Sequence, residues 1–131
     1  MNERKRVYVA GPYTKGDVAI NVRTAIEAAD TLLHWGYLPH CPHLTHFWHL
    51  VCPRPYETWL DYDKAWLRLC DAVVRLPGDS QGADQEVALA RELGIPVYGS
   101  LMELLDRFPP YPMDHETRGR MPRLSMKETA P

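Results

Sequence analysis

The chain has 131 residues, which is enough for one domain with a buried core. Its 15 basic and 17 acidic residues nearly balance, so charge gives no reason to expect a nucleic-acid polymer or a membrane surface as partner. No apolar run approaches the roughly 18 residues of a membrane-spanning helix. Three dispersed cysteines without a CxxC pair, and a charged start followed only by the short apolar "VYVAG", predict a cytoplasmic protein without disulfides.

The first half of the chain predicts one strand, one long helix and a loop. "RVYVAGPY" is typical of a short buried strand that ends at a Gly-Pro turn. In "KGDVAINVRTAIEAADTLLHWG" the apolar residues recur at helical spacing, and Gly36 is the expected C-cap. Prolines and histidines interrupt every period in residues 37–55. This segment is therefore predicted to be a long loop with a short strand at residues 37–39.

The second half of the chain alternates in the same way, and its predicted elements are the helix "YETWLDYDKAWLRLC", the strand "DAVVRL", a helix starting in "SQGADQEVALA", the strand "IPVYG" and the helix "SLMELLDRF". This order predicts a single-domain α/β sandwich of the Rossmann-like (flavodoxin-like) type, with four to five mostly parallel strands flanked by helices. The domain is expected to span residues 1–108. The proline-rich, charged segment 109–131 is expected to be an extended or disordered tail, or an arm on a neighbouring subunit.

Two predicted helices each place one carboxylate on the face that should be buried. Glu86, predicted in the first helical turn, falls within the apolar stripe of Ala83, Val87, Ala90 and Leu93. Asp63 falls within the stripe of Tyr56, Trp59, Leu60, Leu67 and Cys70. An unpaired buried carboxylate costs several kcal/mol or becomes neutral, so each acid either has a structural partner, such as a backbone N–H or an arginine, or belongs to a functional site. Both acids are near the carboxyl ends of predicted neighbouring strands, which favours a site.

Two strand-to-helix loops could hold an anion. "AGPYTKGD" and "LPGDSQGAD" both offer glycine, a hydroxyl group and the N-terminus of a following helix. A phosphate could lie between them, held by Gly11, Ser80, Gly82 and backbone N–H groups. Neither loop completes a Walker or GxGxxG motif, so both also fit ordinary strand-to-helix turns.

Taken in order, "YVAGPY", a helix with Asn21 and several alanines, "D…CDAVV" and "SQGADQEVALARELGIPV" resemble the nucleoside 2-deoxyribosyltransferase superfamily. That superfamily includes the 2'-deoxynucleoside 5'-phosphate N-hydrolases and the CMP and hydroxymethyl-CMP hydrolases, and its small DUF4406-type proteins look closest. The resemblance covers residues 7 to 99. It implies that Glu86 is the nucleophile that forms a covalent glycosyl-enzyme, that Asp63 is the second active-site carboxylate, and that Ser80 contacts a 5'-phosphate.

The loop residues and the resemblance together predict the surroundings of the reaction. Substrate-binding residues are expected to be Gly11, Tyr13, Asn21, His43, His46, Ser80 and Gly82, with Tyr13 stacking on the base. No cofactor is implied, and the protein is expected to be a homodimer or larger homo-oligomer. The chain departs from well-known members at Asp84, where they have glycine and where an inward carboxylate would repel phosphate, and in the histidine-rich segment "PHCPHLTHFWH".

These residues leave three hypotheses. The first is an enzyme that cleaves or transfers the N-glycosidic bond of a nucleoside or nucleotide. The second is a non-catalytic nucleotide-binding sensor with the same fold. The third is a zinc site on His40, His43, His46 and His49, which recur every three residues; Pro42 opposes the helix that this spacing requires. Which base, which sugar and which acceptor the enzyme would use are left open.

Overall fold

The computed structural model describes residues 3–112, and it shows one α/β domain with a four-stranded, all-parallel sheet. The α/β fold and the parallel sheet predicted from the sequence are therefore confirmed. Most of the predicted tail, from residue 113 onward, lies outside the described residues. The elements are β1 (Arg6–Ala10), α1 (Val18–Trp35), β2 (Leu38–His40), a 3-10 turn (Pro42–Leu44), α2 (Thr45–Val51), α3 (Tyr56–Leu67), β3 (Ala72–Arg75), α4 (Gln81–Glu92), β4 (Val97–Tyr98) and α5 (Leu101–Arg107). The strands of the sheet are in the order β2-β1-β3-β4.

The sheet separates two apolar layers, because successive side chains of a strand point to opposite faces. In β1, Val7 and Val9 face the layer formed with α1 and α5, whereas Tyr8 and Ala10 face the layer formed with α3 and α4. All four side chains are fully buried. The central strand is therefore an apolar run apart from the Tyr8 hydroxyl, which needs a partner inside the second layer.

The strand order places the loops after β1 and β3 side by side. From β1 the chain crosses to β2 at one edge of the sheet, and it later returns to form β3 on the other side of β1. Open α/β sheets bind ligands at such a point, outside the carboxyl ends of the strands. The predicted C-cap of α1 is also confirmed: Gly36 has φ 103°, and its N–H donates to the Leu32 and Leu33 carbonyl oxygens.

The prediction of a long loop over residues 37–55 was wrong in most of its length. Pro42 does not prevent a helix, because it is the first residue of a 3-10 turn, where its missing N–H costs nothing. Helix α2 follows directly and buries none of its side chains. The predicted short strand is present, although it spans Leu38–His40 instead of residues 37–39.

Helix α4 differs from its prediction at both ends. Ser80 is the N-cap and the helix begins at Gln81, so Glu86 lies in the second turn and not in the first. At the other end, Leu93 is the C-cap and is 45% exposed, because the helix ends before Leu93 can join the buried stripe. In α3 the predicted apolar face is buried only toward its end, at Leu67, and Tyr56 is exposed. No helix within residues 3–112 is long and apolar enough to cross a membrane.

Candidate active site

A cavity of about 1190 Å³ opens at the carboxyl ends of β1 and β3. It is lined by the loops after these two strands, by the first turns of α4 and by residues from the segment between β2 and the middle of α3. Both predicted catalytic acids, Glu86 and Asp63, line this one cavity although they are 23 positions apart on different helices. The sheet topology therefore brings together the two carboxylates that the sequence pattern singled out.

The Glu86 carboxylate is bound by a residue that the sequence analysis missed. The Tyr8 hydroxyl donates a hydrogen bond to Glu86 Oε2. Tyr8 is fully buried, and burial together with the Glu86 charge raises the pKa of its phenol far above the usual value, so that Tyr8 remains a donor. The available signal was a tyrosine inside an otherwise apolar buried strand, since such a hydroxyl must find a partner.

The surroundings of Asp63 differ from those of Glu86, which receives a hydrogen bond. Its Oδ1 atom is buried and has no hydrogen-bond partner within residues 3–112. Burial, followed by the charge of Glu86, raises the pKa of Asp63 from 3.8 to about 7. A carboxyl group with no donor to stabilise its charge is favoured in the protonated form.

Burial also raises the pKa of Glu86, from 4.5 to about 7, although the Tyr8 hydrogen bond and the Arg75 charge oppose this increase. Both acids therefore change protonation near neutral pH, which is typical of functional carboxyl pairs. Because only Glu86 receives a donor, we assign the negative charge to Glu86 and the proton to Asp63. The structural alternative considered for Asp63, a backbone N–H cap or an arginine partner, finds no such contact among the described residues.

The three residues predicted to hold a phosphate line the same cavity as Glu86. Gly11, Ser80 and Gly82 all line the cavity. The Ser80 side chain caps α4 by accepting a hydrogen bond from the Ala83 N–H at 3.0 Å, and its own O–H can still donate to a ligand. Gly11 faces Leu76 so closely that an added Cβ would lie 3.1 Å from the Leu76 Cβ atom. Glycine at that position allows the two loops to approach each other.

Asp84, the departure from the family pattern, is oriented by an arginine. Its carboxylate accepts a hydrogen bond from Arg75 at 3.1 Å and is 73% exposed. The same guanidinium donates to the Gly78 carbonyl oxygen at 2.9 Å, and so it also fixes the loop after β3. Arg75 therefore partly balances the negative charge of Asp84, which the sequence pattern suggested would repel a phosphate. At the exposed rim, Lys15 and Asp79 join the two loops through a 3.3 Å ion pair.

The other predicted binding residues separate into two groups. Tyr13 and His43 line the cavity, whereas His46 and Asn21 do not. His46 Nδ1 is 2.7 Å from the Tyr13 hydroxyl oxygen, and this hydrogen bond fixes the position of the Tyr13 side chain. Asn21 donates to the carbonyl oxygens of Tyr13 and Lys15 at 2.9 and 2.8 Å. Both residues fix the loop after β1 instead of facing the cavity. The cavity wall also contains His49 and Arg54, which the sequence analysis did not assign to ligand binding.

The four regularly spaced histidines do not converge. Across residues 3–112, no three His, Cys, Asp or Glu side chains come together as a metal site would require. His40 stacks on Trp66 with ring centroids 5.0 Å apart, His46 contacts Tyr13, and His49 contacts Trp59. The four histidines lie on a strand, a 3-10 turn and a helix, so their regular spacing of three residues does not bring them together.

Residues 5–99 match the sequence profile of a domain of unknown function, DUF7768. The chain belongs to the DUF7768 family. The DUF7768 domain thus runs from the start of β1 through β4, and it includes both loops, both carboxylates and Tyr8. Its description assigns no activity. A comparison with curated proteins finds no match.

Proposed function

We propose that this protein cleaves the N-glycosidic bond of a nucleoside or a nucleoside 5'-monophosphate and releases the free base. The observation that carries the proposal is the pair of half-buried carboxyl groups in one cavity, of which Glu86 is hydrogen-bonded by Tyr8 and Asp63 Oδ1 is unpaired. A site that only bound an anion would gain nothing from two such groups. Retaining glycosidases use two carboxyl groups in these two roles.

In the proposed reaction, the ionised Glu86 attacks the anomeric carbon of the sugar. The bond between this carbon and the base nitrogen breaks, its electron pair leaves with the base, and Asp63 donates a proton to the base. The product is a glycosyl ester on Glu86. Asp63, now a carboxylate, takes a proton from water, which attacks the anomeric carbon and regenerates both acids; a second base in place of water would give transfer. The reaction needs no cofactor, because nucleophile, acid and positioning come from the protein.

The cradle beside Glu86 supports a monophosphate substrate. Ser80 and Gly82 lie at the N-terminus of α4, where free N–H groups and the helix dipole favour an anion, and Gly11 in the loop after β1 lines the same cavity. Lys15 and Arg54 contribute positive charge to the cavity wall. Acidic side chains at the same rim, Asp79 and Asp84, oppose the binding of an anion. We therefore expect the phosphate to increase affinity without being indispensable for turnover.

The test is a panel of ribo- and deoxyribonucleosides and their 5'-monophosphates, with free base followed by chromatography. We expect one class to release base, and we expect Glu86→Gln to lower the rate by at least about a thousand-fold. Glu92→Gln, an exposed position on the same helix, is the matched control and should keep wild-type rates. Base release that persists in Glu86→Gln would refute the nucleophile. No release, combined with nucleotide binding that Glu86→Gln preserves or improves, would instead establish the sensor hypothesis.

We further propose that the protein is a homo-oligomer and that α2 contributes to the contact between subunits. Its Phe47, Trp48, Leu50 and Val51 side chains are 45–80% exposed, which is unusual for four neighbouring large apolar residues. Light scattering after gel filtration should give a dimer or larger mass, and Val51→Asp should lower it. A monomer at micromolar concentration would contradict this. The free thiols of Cys41, Cys52 and Cys70 fit a reducing compartment, and we assign the protein to the cytoplasm.

A further inference from the structure

The Arg75 guanidinium, at the end of β3, is bound by oxygen atoms from three points of the chain. It donates to the Leu76 carbonyl oxygen, to the Gly78 carbonyl oxygen at 2.9 Å and to the Asp84 carboxylate at 3.1 Å. The Arg75 side chain is only 18% exposed, and a charge with so little access to water needs such acceptors. These contacts fix the direction in which the guanidinium points.

Arg75 also lies on the face of the sheet where Tyr8 meets Glu86. Arg75 pairs with Ala10 of β1, and Tyr8 pairs with Val73 of β3. Tyr8, Ala10 and Val73 belong to the apolar layer formed with α4. Since residues two apart on a strand share a face, Arg75 is directed to that layer as well. The surroundings of Glu86 therefore include a phenol from β1 and a guanidinium from β3.

No hydrogen bond or ion pair joins Arg75 to Glu86 within residues 3–112. The ion pair of Arg75 is with Asp84, and Glu86 accepts only from the Tyr8 hydroxyl, through Oε2. The other carboxylate oxygen, Oε1, has no partner among these residues, and it is not buried. The Arg75 charge nevertheless lowers the pKa of Glu86, because a charge acts beyond hydrogen-bond distance where water is scarce. Glu86 thus has an available oxygen beside a cation with which it does not pair.

We propose that Arg75 is a positioning residue for the nucleophile, and that Asp84 holds its guanidinium away from Glu86 so that Oε1 stays free to attack. This inference rests on the proposed function, since it takes Glu86 to be the nucleophile. A guanidinium paired directly with a carboxylate commonly binds both of its oxygens. Such a pair would stabilise the charge of Glu86 but would block the oxygen that must reach the anomeric carbon. Because Asp84 holds it at a distance, Arg75 stabilises the same charge without blocking that oxygen.

The other ionisable groups around Glu86 do not supply a positive charge. Tyr8 faces it from β1 and donates as a neutral phenol, Asp63 faces it from α3, and Asp84 precedes it by two positions on α4. Arg75, from β3, is therefore the fixed cation of this group among the described residues. Removing Arg75 and removing Asp84 should have opposite effects on the ionisation of Glu86.

The first experiment measures the pKa of Glu86 in the free protein by carbon-13 NMR of the side-chain carboxyl groups, with Glu86→Gln assigning the signal. Arg75→Gln should raise this pKa, because the fixed positive charge is lost. Asp84→Asn should lower it, because a negative charge is lost and the released guanidinium pairs with Glu86. Arg91→Gln, at an exposed position on the same helix, is the matched control and should leave it unchanged.

An unchanged pKa of Glu86 in Arg75→Gln or in Asp84→Asn overturns the proposal. This outcome requires no substrate, so it does not depend on the proposed function. The Asp84 side chain is exposed, so Asp84→Asn keeps the test decisive even where Arg75→Gln does not fold.

The second experiment measures base release from pH 5 to 9 at saturating substrate. Arg75→Gln should move the acidic limb of the kcat profile to higher pH. Asp84→Asn should move that limb to lower pH and, because Arg75 then covers Oε1 of Glu86, should reduce the maximal kcat about ten-fold. Saturation is needed, since loss of the Asp84 charge also favours the binding of a phosphate.

The double variant Arg75→Gln, Asp84→Asn separates positioning from packing. With no cation left to pair with Glu86, its maximal kcat should exceed that of Asp84→Asn. A purely structural role of the ion pair predicts instead that the double variant is no faster than Asp84→Asn. That result overturns the proposal and leaves the proposed function intact. Base release that persists in Glu86→Gln overturns the proposed nucleophile, and the inference with it.

Discussion

The Tyr8 phenol on the central strand donates a hydrogen bond to the Glu86 carboxylate on α4, across 78 positions of sequence. Tyr8 is a donor over the whole pH range in which Glu86 ionises, because burial raises the pKa of the phenol far above its usual value. A hydroxyl group that donates to the carboxylate stabilises the charged form of Glu86. The contact therefore favours the negative charge on Glu86 over Asp63, the other half-buried acid of the cavity.

Replacing Tyr8 with Phe should raise the pKa of Glu86 above its value of about 7, because the hydrogen bond that lowers it is removed. A nucleophile must be ionised, so the acidic limb of the kcat/KM profile should move to higher pH. We expect a loss of about ten-fold at pH 6 and a smaller loss at pH 8. Rates of base release measured from pH 5 to 9 test this.

The matched control for this prediction is Tyr37→Phe. Tyr37 is equally buried, and its hydroxyl donates to the Phe108 carbonyl oxygen at 2.7 Å, in the opposite layer of the sheet. This change should reduce stability without moving the pH profile. A similar shift of the acidic limb in both variants would show that the effect comes from general loosening and not from the Glu86 contact.

Asp63→Asn should remove the basic limb of the same profile. Asp63 must be protonated to act as the acid, so the wild-type rate should fall above its pKa of about 7. The Asn variant should be slower by about a hundred-fold or more and flat in this range. A nucleoside whose base leaves without protonation should largely escape the loss. Asp61→Asn, on the exposed side of the same helix, is the control, and a basic limb that survives in Asp63→Asn would rule out this role.

The two carboxyl groups should also make stability fall as pH rises. Their pKa values increase from the ordinary values of 3.8 for Asp63 and 4.5 for Glu86 to about 7 in the folded chain. Between pH 4 and 7 the folded state then binds more protons than the unfolded state, so the free energy of unfolding decreases with pH. Urea unfolding at pH 5 and 8 should show this decrease in the wild type and a weaker one in the Asp63→Asn, Glu86→Gln double variant. At pH 8 the double variant should be more stable by about 1–3 kcal/mol, and equal stabilities would contradict the burial argument.

Gly78→Ala should separate the two loops that form the cavity. Gly78 has φ 113°, and an added Cβ would lie 2.8 Å from Pro12 Cγ in the facing loop. We expect a loss of about 2–3 kcal/mol in the free energy of unfolding, together with weaker nucleotide binding. Gly94→Ala is the control, since Gly94 has φ 74° and open space around it. It should lose only about 1 kcal/mol and leave binding unchanged, and equal losses at the two positions would argue against the Pro12 contact.

The sequence predicted the sheet and the two acids because both depend on local pattern. The strands "RVYVA" and "DAVVR" are apolar runs, as buried parallel strands are. Asp63 and Glu86 were visible as polar exceptions to a helical period, which needs no knowledge of their partners. Periodicity indicates which side chains are buried, but it does not indicate what they contact.

The contacts that define the site could not be predicted for that reason. Tyr8 meets Glu86, and Arg75 meets Asp84, only after the strands have paired. Helix α2 was missed because a seven-residue helix with apolar residues on most sides has no clear period. Glu86 was placed one turn too early because the helix start depends on the Ser80 cap.

The absence of buried side chains in α2 has a consequence for changing this protein by design. The segment from Pro42 to Tyr56 provides cavity residues such as His43, His49 and Arg54, while the apolar layers are built almost entirely by other elements. A library of substitutions confined to residues 44–54, with His49 and Arg54 varied and the proposed subunit contact of Phe47, Trp48, Leu50 and Val51 retained, would therefore alter what the cavity accepts at little expense of folding. What the cavity accepts can thus be altered within this one segment while the residues that form the two apolar layers are held constant.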